Sequence, residues 1–180
     1  ERIAGSEEAF VEMMNQKVKA LGLKNTKFQN ATGLPTENHY STAYDMSIMA
    51  KELLKYKAIT KYTGTYESYL RENTDKKFWL VNTNRLVKFY PGVDGLKTGF
   101  TNEAKYCLTA TAQKGNMRVI AVVFGAETPK KRNAQVMKML DYAFSQYTTQ
   151  PVYKKDVELK DVQVSKGTQK KVKAVTSESI

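Results

Sequence analysis

With 180 residues, 41% hydrophobic and 26% charged, the chain is long enough to bury one substantial core with a small appendage, and its composition excludes a disordered tail. A single cysteine, Cys107, excludes an intramolecular disulfide and a cysteine-cluster metal site, and a single histidine, His39, argues against a His-based metal site or triad. The net charge of +11 invites a nucleic-acid reading, but Lys51, Lys61, Lys88, Lys131, Lys154 and Lys171 are spread along the chain. No arginine-rich stripe accompanies them, so solvated faces or attraction to an anionic cell envelope account for the charge.

In chain order, Phe10, Val11, Met14, Val18 and Leu21 recur at helical spacing, behind Glu7 and Glu8 at the positive end and before a stop at Gly22. Residues 23 to 40, with Gly33, Pro35 and Asn38, read as a loop. A second helix starts at Thr42-x-x-Asp45, with Asp45 as a capping group and Met46, Met49, Ala50, Leu53 and Leu54 as its buried stripe. From 60 to 92, Tyr62, Tyr66, Tyr69 and Phe78 to Val81 suggest short strands between polar turns.

Val93 to Thr98 reads as a strand, and Tyr106, Leu108, Ala110 and Ala112 alternate with polar neighbours as a half-buried one. Lys114-Gly115-Asn116 is a tight turn into Met117–Phe124, apolar enough for a central strand. The three segments predict an antiparallel sheet. Thr128-Pro129 opens a third helix with Val136, Met137, Leu140, Ala143, Phe144 and Tyr147 inside, closed by Pro151. Beyond it, alternation at Val157/Leu159, Val162/Val164 and Val172/Ala174 predicts strands with too few residues for a core of their own. Residues 1–150 therefore read as one unit, and 151–180 as a linker and the first strands of a β-rich domain.

The motif richest in chemistry is Asp94-Gly95-Leu96-Lys97-Thr98-Gly99-Phe100-Thr101. A Lys-Thr-Gly on an accessible strand is one of three elements of the penicillin-recognising serine acyl-transferases. There the Lys97 ammonium would set a positive potential and relay protons, and the Thr98 hydroxyl would bond a terminal carboxylate. Gly99 would let a peptide or β-lactam lie against the backbone, and the Phe100 N–H would complete an oxyanion hole. A bare tripeptide of this kind is weak, but here a hairpin and then a helix follow it.

Longer blocks are more specific. Leu21-Gly22-Leu23-Lys24-Asn25-Thr26-x-Phe28, Gly33-Leu34-Pro35, Tyr40-Ser41-Thr42-Ala43-x-Asp45-Met46 and Asn82-Thr83-Asn84-x-Leu86 lead, in order, to Gly92–Gly99 and Arg118–Val123. In these the chain resembles the D-alanyl-D-alanine carboxypeptidases, the low-molecular-mass penicillin-binding proteins, from residue 1 to about 150.

The resemblance implies an α+β fold: a β-lactamase/transpeptidase-like antiparallel sheet flanked by helices, followed by the start of a small all-β domain. It implies serine acylation by the penultimate D-alanine of a peptidoglycan stem peptide, loss of the terminal D-alanine, hydrolysis by water, and trapping by β-lactams. Arg132 matches a family arginine that helps bind the carboxylate. Lys97 and Thr98 are the expected catalytic residues, and Thr98, Gly99, Phe100 and Arg132 the substrate-binding ones. Neither cofactor nor metal is expected.

The family's Ser-x-x-Lys and Ser-x-Asn motifs are missing: none of the eight serines has lysine three residues on. The resemblance places both motifs upstream of Glu1–Gly5, so the chain alone is expected to be inert and to need the upstream part of the same protein. The implied compartment is extracytoplasmic, with membrane contact only through a C-terminal anchor outside these residues. Alternatives of other kinds are a β-lactamase of the same superfamily and a catalytically dead envelope-binding module. His39 and Cys107 are expected to be structural.

Overall fold

The computed structural model describes residues 1–179, which divide into two compact units, Glu1–Gln146 and the residues from Tyr147 on. In the first unit, α1 (Glu7–Ala20) begins where the Ser6 hydroxyl accepts the Ala9 N–H at 3.1 Å. It ends at Gly22, whose φ of +69° suits a residue without Cβ. There the Gly22 and Leu23 N–H groups donate to the Lys19 and Val18 carbonyls at 2.9 and 3.1 Å.

Helix α2 (Ala43–Leu53) is capped by Thr42, whose hydroxyl accepts the Asp45 N–H at 3.1 Å. Asp45 itself is not the capping group that its position suggests. Its carboxylate, 2% exposed, turns away and accepts the Asn25 N–H at 3.0 Å and the Thr26 hydroxyl at 2.7 Å. Those two donors of the 23–40 loop have no strand or helix to bond to, and a buried carboxylate satisfies both.

Between residues 59 and 90 the chain is less strand-rich than its aromatics suggest. Tyr62 lies in the short helix α3 (Ile59–Thr63), and a second turn, α4 (Leu86–Phe89), leads to buried Tyr90. Elements of four or five residues are too short to impose a period on the sequence. The strands β1 (Glu67–Leu70) and β2 (Phe78–Val81) form the hairpin between them, with Tyr69 opposite Trp79.

Strands β3 (Val93–Thr101), β4 (Lys105–Lys114) and β5 (Met117–Ala126) form the expected antiparallel sheet in the order β3-β4-β5. Gly99 pairs with Cys107 and Phe100 with Tyr106. Among the described residues β4 lies between β3 and β5. The apolar β5 is also covered by helices: α5 (Pro129–Gln146) and α2 both pack against it. Helix α5 starts where the Thr128 hydroxyl accepts the Lys131 N–H, as Thr-Pro predicts.

The core joins Leu108, Ala110 and Ala112 of β4, Ala121 and Val123 of β5, and Val136 and Leu140 of α5. These are the alternating and four-spaced positions read from the sequence, and burial at such sites contributes roughly 1.5–3 kcal/mol per large side chain. Arg118 of β5 reaches across β4 to Asp94 of β3 in a bidentate pair of 2.8 Å contacts. Its guanidinium also donates to the Thr111 hydroxyl at 2.9 Å on the way. One planar fork thus ties all three strands together just before the Lys-Thr-Gly run.

The second unit is a hairpin of β6 (Glu158–Gln163) and β7 (Lys171–Val175). Buried Thr176 closes it: its hydroxyl donates to the Lys154 carbonyl at 2.6 Å and accepts the Val157 N–H at 3.0 Å. Among the described residues no helix is long and apolar enough to cross a membrane.

Candidate active site

The Lys-Thr-Gly run occupies the second half of β3, an edge strand among the described residues. Its outward backbone groups are open to an added strand. Two cavities, of about 520 and 740 Å³, both have Lys97, Thr98, Gly99 and Phe100 in their walls. In the smaller one they meet Arg132 from the first turn of α5 and Thr83 and Arg85 from the segment before α4. The larger is bounded by the 28–41 loop, Met14 and Met46.

The two glycines of β3 differ in what they do. A Cβ at Gly95 would stand 2.7 Å from the Thr63 hydroxyl and 3.3 Å from Thr111 Cγ2, so packing alone requires glycine there. A Cβ at Gly99 would meet only Cys107 Cβ, at an ordinary 3.8 Å. Among the described residues no packing contact demands glycine at 99.

The Thr98 hydroxyl lies 2.7 Å from that of Thr83 and shares a hydrogen bond with it. Thr83 is held by its neighbours. The Asn82 side chain donates to the Thr63 and Thr65 carbonyls, each at 2.9 Å, and Asn84, 1% exposed, donates to the Gly95 carbonyl at 2.9 Å. The Asn-Thr-Asn block therefore docks on β3 and presents Thr83 to the motif. Lys97 is exposed, and its ammonium donates to the Thr98 carbonyl at 2.5 Å.

Arg132 is 4% exposed and has no carboxylate partner among the described residues. Its Nε and Nη2 donate to Asn133 Oδ1 at 3.1 and 2.9 Å, and Nη1 to the Cys107 carbonyl at 3.5 Å. Burial lowers its pKa from the ordinary guanidinium value, against a smaller raising effect of Cys107 and Tyr106. Arg132 is thus a buried cation on the cavity wall with no counterion among the described residues. Phe100 is 54% exposed, with its ring centroid 4.4 Å from that of Tyr106.

Every residue expected at the site thus lines one cavity. Thr83 and Arg85 were not anticipated, although both lie inside the Asn82–Leu86 block that carried the family resemblance. His39 accepts the Gln29 N–H at 3.1 Å through Nδ1 and packs edge-on against Phe28. The Cys107 thiol donates to the Ala104 carbonyl at 3.2 Å. Both also line the larger cavity, each with its polar group engaged in a local hydrogen bond.

A family model described as D-alanyl-D-alanine carboxypeptidase matches residues 1–128. D-alanyl-D-alanine carboxypeptidase DacF of Bacillus subtilis is 72% identical over all 180 residues, which cover 46% of that relative. DacA of Escherichia coli K12 is 38% identical over 151 residues, covering 81% of this chain and 36% of the relative. Penicillin-binding protein 5 from Haemophilus influenzae superposes with a TM-score of 0.80 at 32% identity, over 99% of this chain and 51% of that one. Penicillin-binding protein D2 from Listeria monocytogenes, in its ampicillin-bound form, matches 75% of this chain and 55% of its own with a TM-score of 0.67 at 35% identity. The chain spans about half the length, or less, of the relatives it matches. With the Lys-Thr-Gly edge strand, the buried unpaired arginine and the antiparallel sheet in place, this chain belongs to the D-alanyl-D-alanine carboxypeptidase family.

Proposed function

We propose that the protein containing this chain is a serine-type carboxypeptidase that removes the terminal D-alanine from peptidoglycan stem peptides and is trapped by β-lactams. The reading is carried by one observation: Thr98, Arg132 and the open edge at Gly99 and Phe100 meet around a single cavity. Arg132 and the Thr98 hydroxyl, oriented by Thr83, hold the terminal carboxylate, while the peptide lies along β3 as an added strand.

A serine hydroxyl, supplied by the upstream part of the same protein, attacks the carbonyl carbon of the penultimate D-alanine and gives up its proton to a base beside it, from which it passes on to the leaving amine. The electron pair moves onto the carbonyl oxygen, which the Phe100 N–H holds. The C–N bond then breaks, and the departing amine takes a proton relayed through the Lys97 site. Water hydrolyses the remaining ester and frees the serine. Residues 1–150 contribute the substrate-binding side of this catalytic domain, and 151–180 begin a β-rich domain. Stem peptides lie outside the cytoplasmic membrane, so the protein works on its outer face or in the envelope.

The test is release of D-alanine by the whole protein from peptides ending in D-Ala-D-Ala or D-Ala-L-Ala. Release from the first alone is expected. Fast turnover of a chromogenic β-lactam with no alanine released would identify a β-lactamase and overturn the reading.

A further inference from the structure

Arg132 is held by a side chain that carries no charge. Asn133, half-buried and next to it on α5, offers Oδ1 to Nε at 3.1 Å and to Nη2 at 2.9 Å. Both residues line the 520 Å³ cavity. The two bonds take up the Nε–Nη2 edge of the guanidinium, in the forked geometry that an aspartate or glutamate ordinarily supplies. Of the five donors, the second Nη2 hydrogen and at least one on Nη1 are left, since Nη1 makes only the 3.5 Å contact to the Cys107 carbonyl among the described residues. One hydrogen from each terminal nitrogen is what a carboxylate needs to bind end-on.

The surroundings are kept free of acid. The first turn of α5 contains no acidic residue, and among the described residues no aspartate or glutamate lines either cavity. Glu127, just before α5, is engaged by Lys131. A buried cation without a counterion is a cost to the fold, and asparagine is a poor residue for a helix interior. An aspartate at 133 would grip the fork in the same shape and remove the first cost. It would also cancel the positive charge that an incoming carboxylate has to meet.

We propose that Asn133 is the positioning residue of Arg132: its neutral oxygen fixes the fork while leaving the whole cationic charge for the terminal carboxylate of the peptide. This rests on the reading of the cavity as the seat of that carboxylate. Asn133 thereby acts on recognition of the free carboxyl end and has no part at the reacting bond.

The experiment uses the whole protein and two peptides ending in D-Ala-D-Ala, one with a free carboxylate and one with its C-terminal amide. The wild type is expected to prefer the acid in kcat/KM for release of the terminal residue. In Asn133→Asp the KM for the acid should rise about tenfold with kcat within about twofold, while the amide changes little, so the preference falls about tenfold. Tm should not drop, because a negative charge beside Arg132 and near the start of α5 favours the fold. In Asn133→Ala the charge of Arg132 stays and only its orientation is loosened, so the preference falls by about threefold. An unchanged preference in Asn133→Asp would overturn the proposal. So would an equal loss of both peptides, which would mean that Asn133 supports the fold and not the carboxylate. If the wild type releases nothing from either peptide, the carboxypeptidase reading fails on its own. Calorimetric titration of the two peptides into wild type and Asn133→Asp then decides: a preference for the acid that the variant loses supports the role of Asn133, and no preference in the wild type overturns it.

Discussion

Replacing Gly95 and Gly99 with alanine, one at a time, separates packing from ligand clearance on the same strand. At Gly95 the new methyl would overlap Thr63, whose Oγ1 would be 2.7 Å and Cβ 3.2 Å away. Thr63 cannot turn aside freely, because its hydroxyl donates to the Asp94 carbonyl at 2.7 Å. Overpacking of this kind costs about 1–3 kcal/mol, and loss of the hydrogen bond about 1 kcal/mol more. A total of about 2–4 kcal/mol lowers Tm by several degrees, at roughly 2–4 °C per kcal/mol for 150–250 residues and less in the longer whole protein. At Gly99 the methyl meets an ordinary 3.8 Å contact and φ is not positive. Alanine there removes entropy from the unfolded chain and stabilises by about 0.4–1 kcal/mol. The same methyl occupies space a ligand needs along the edge, so acylation by a fluorescent penicillin should slow by about tenfold. Calorimetric melting and acylation rates of the two whole-protein variants are the assay. The reasoning is refuted if Gly99→Ala loses as much Tm as Gly95→Ala, or acylates at the wild-type rate.

Arg132→Gln should keep the fold and weaken carboxylate-bearing ligands by at least about tenfold, read as KM for a D-Ala-D-Ala peptide at unchanged Tm. Asp45→Ala removes the partner of the Asn25 N–H and leaves the buried Thr26 hydroxyl with Ser41 alone, and should destabilise by about 1–3 kcal/mol, measured by denaturant unfolding. Burial, together with its 2.6 Å hydrogen bond to Asp141, pushes the Tyr90 hydroxyl up to about 12. A group whose pKa is raised by folding stabilises below its unfolded value and loses that contribution as pH climbs through the folded one. Wild type should therefore lose up to about 2.5 kcal/mol relative to Tyr90→Phe between pH 10 and 12, with a constant difference below pH 9. A pH-independent difference across the whole range would contradict this.

The long elements were legible because periodicity over ten or more residues is a strong signal. Val136 and Leu140 of α5, and Leu108, Ala110 and Ala112 of β4, are buried where their spacing placed them. The five residues of α3 and the four of α4 carry no such signal, and Tyr62 and Tyr66 read as strand because aromatics favour strands. Asp45 lay at the third position of a helix, where a cap is the usual assignment. Its true partners, Asn25 and Thr26, are twenty and nineteen residues away in sequence, and only folding brings them there. The apolar run of β5 was readable as a strand, while the packing of α2 and α5 against it was not. At the site, Lys97, Thr98, Gly99 and Phe100 were readable as one motif, while Thr83 and Arg85 belong to it only through the docking of Asn84 on the Gly95 carbonyl.

The most direct test of the account is to label the whole protein with a penicillin, digest it, and identify the acylated serine by mass spectrometry. The account predicts a label on a serine outside these 180 residues that has lysine three positions on. It also predicts that the label is lost in Lys97→Ala and forms at least about tenfold more slowly in Arg132→Gln. A label on Ser41, which lines the larger cavity, or on any other of the eight serines here would contradict it.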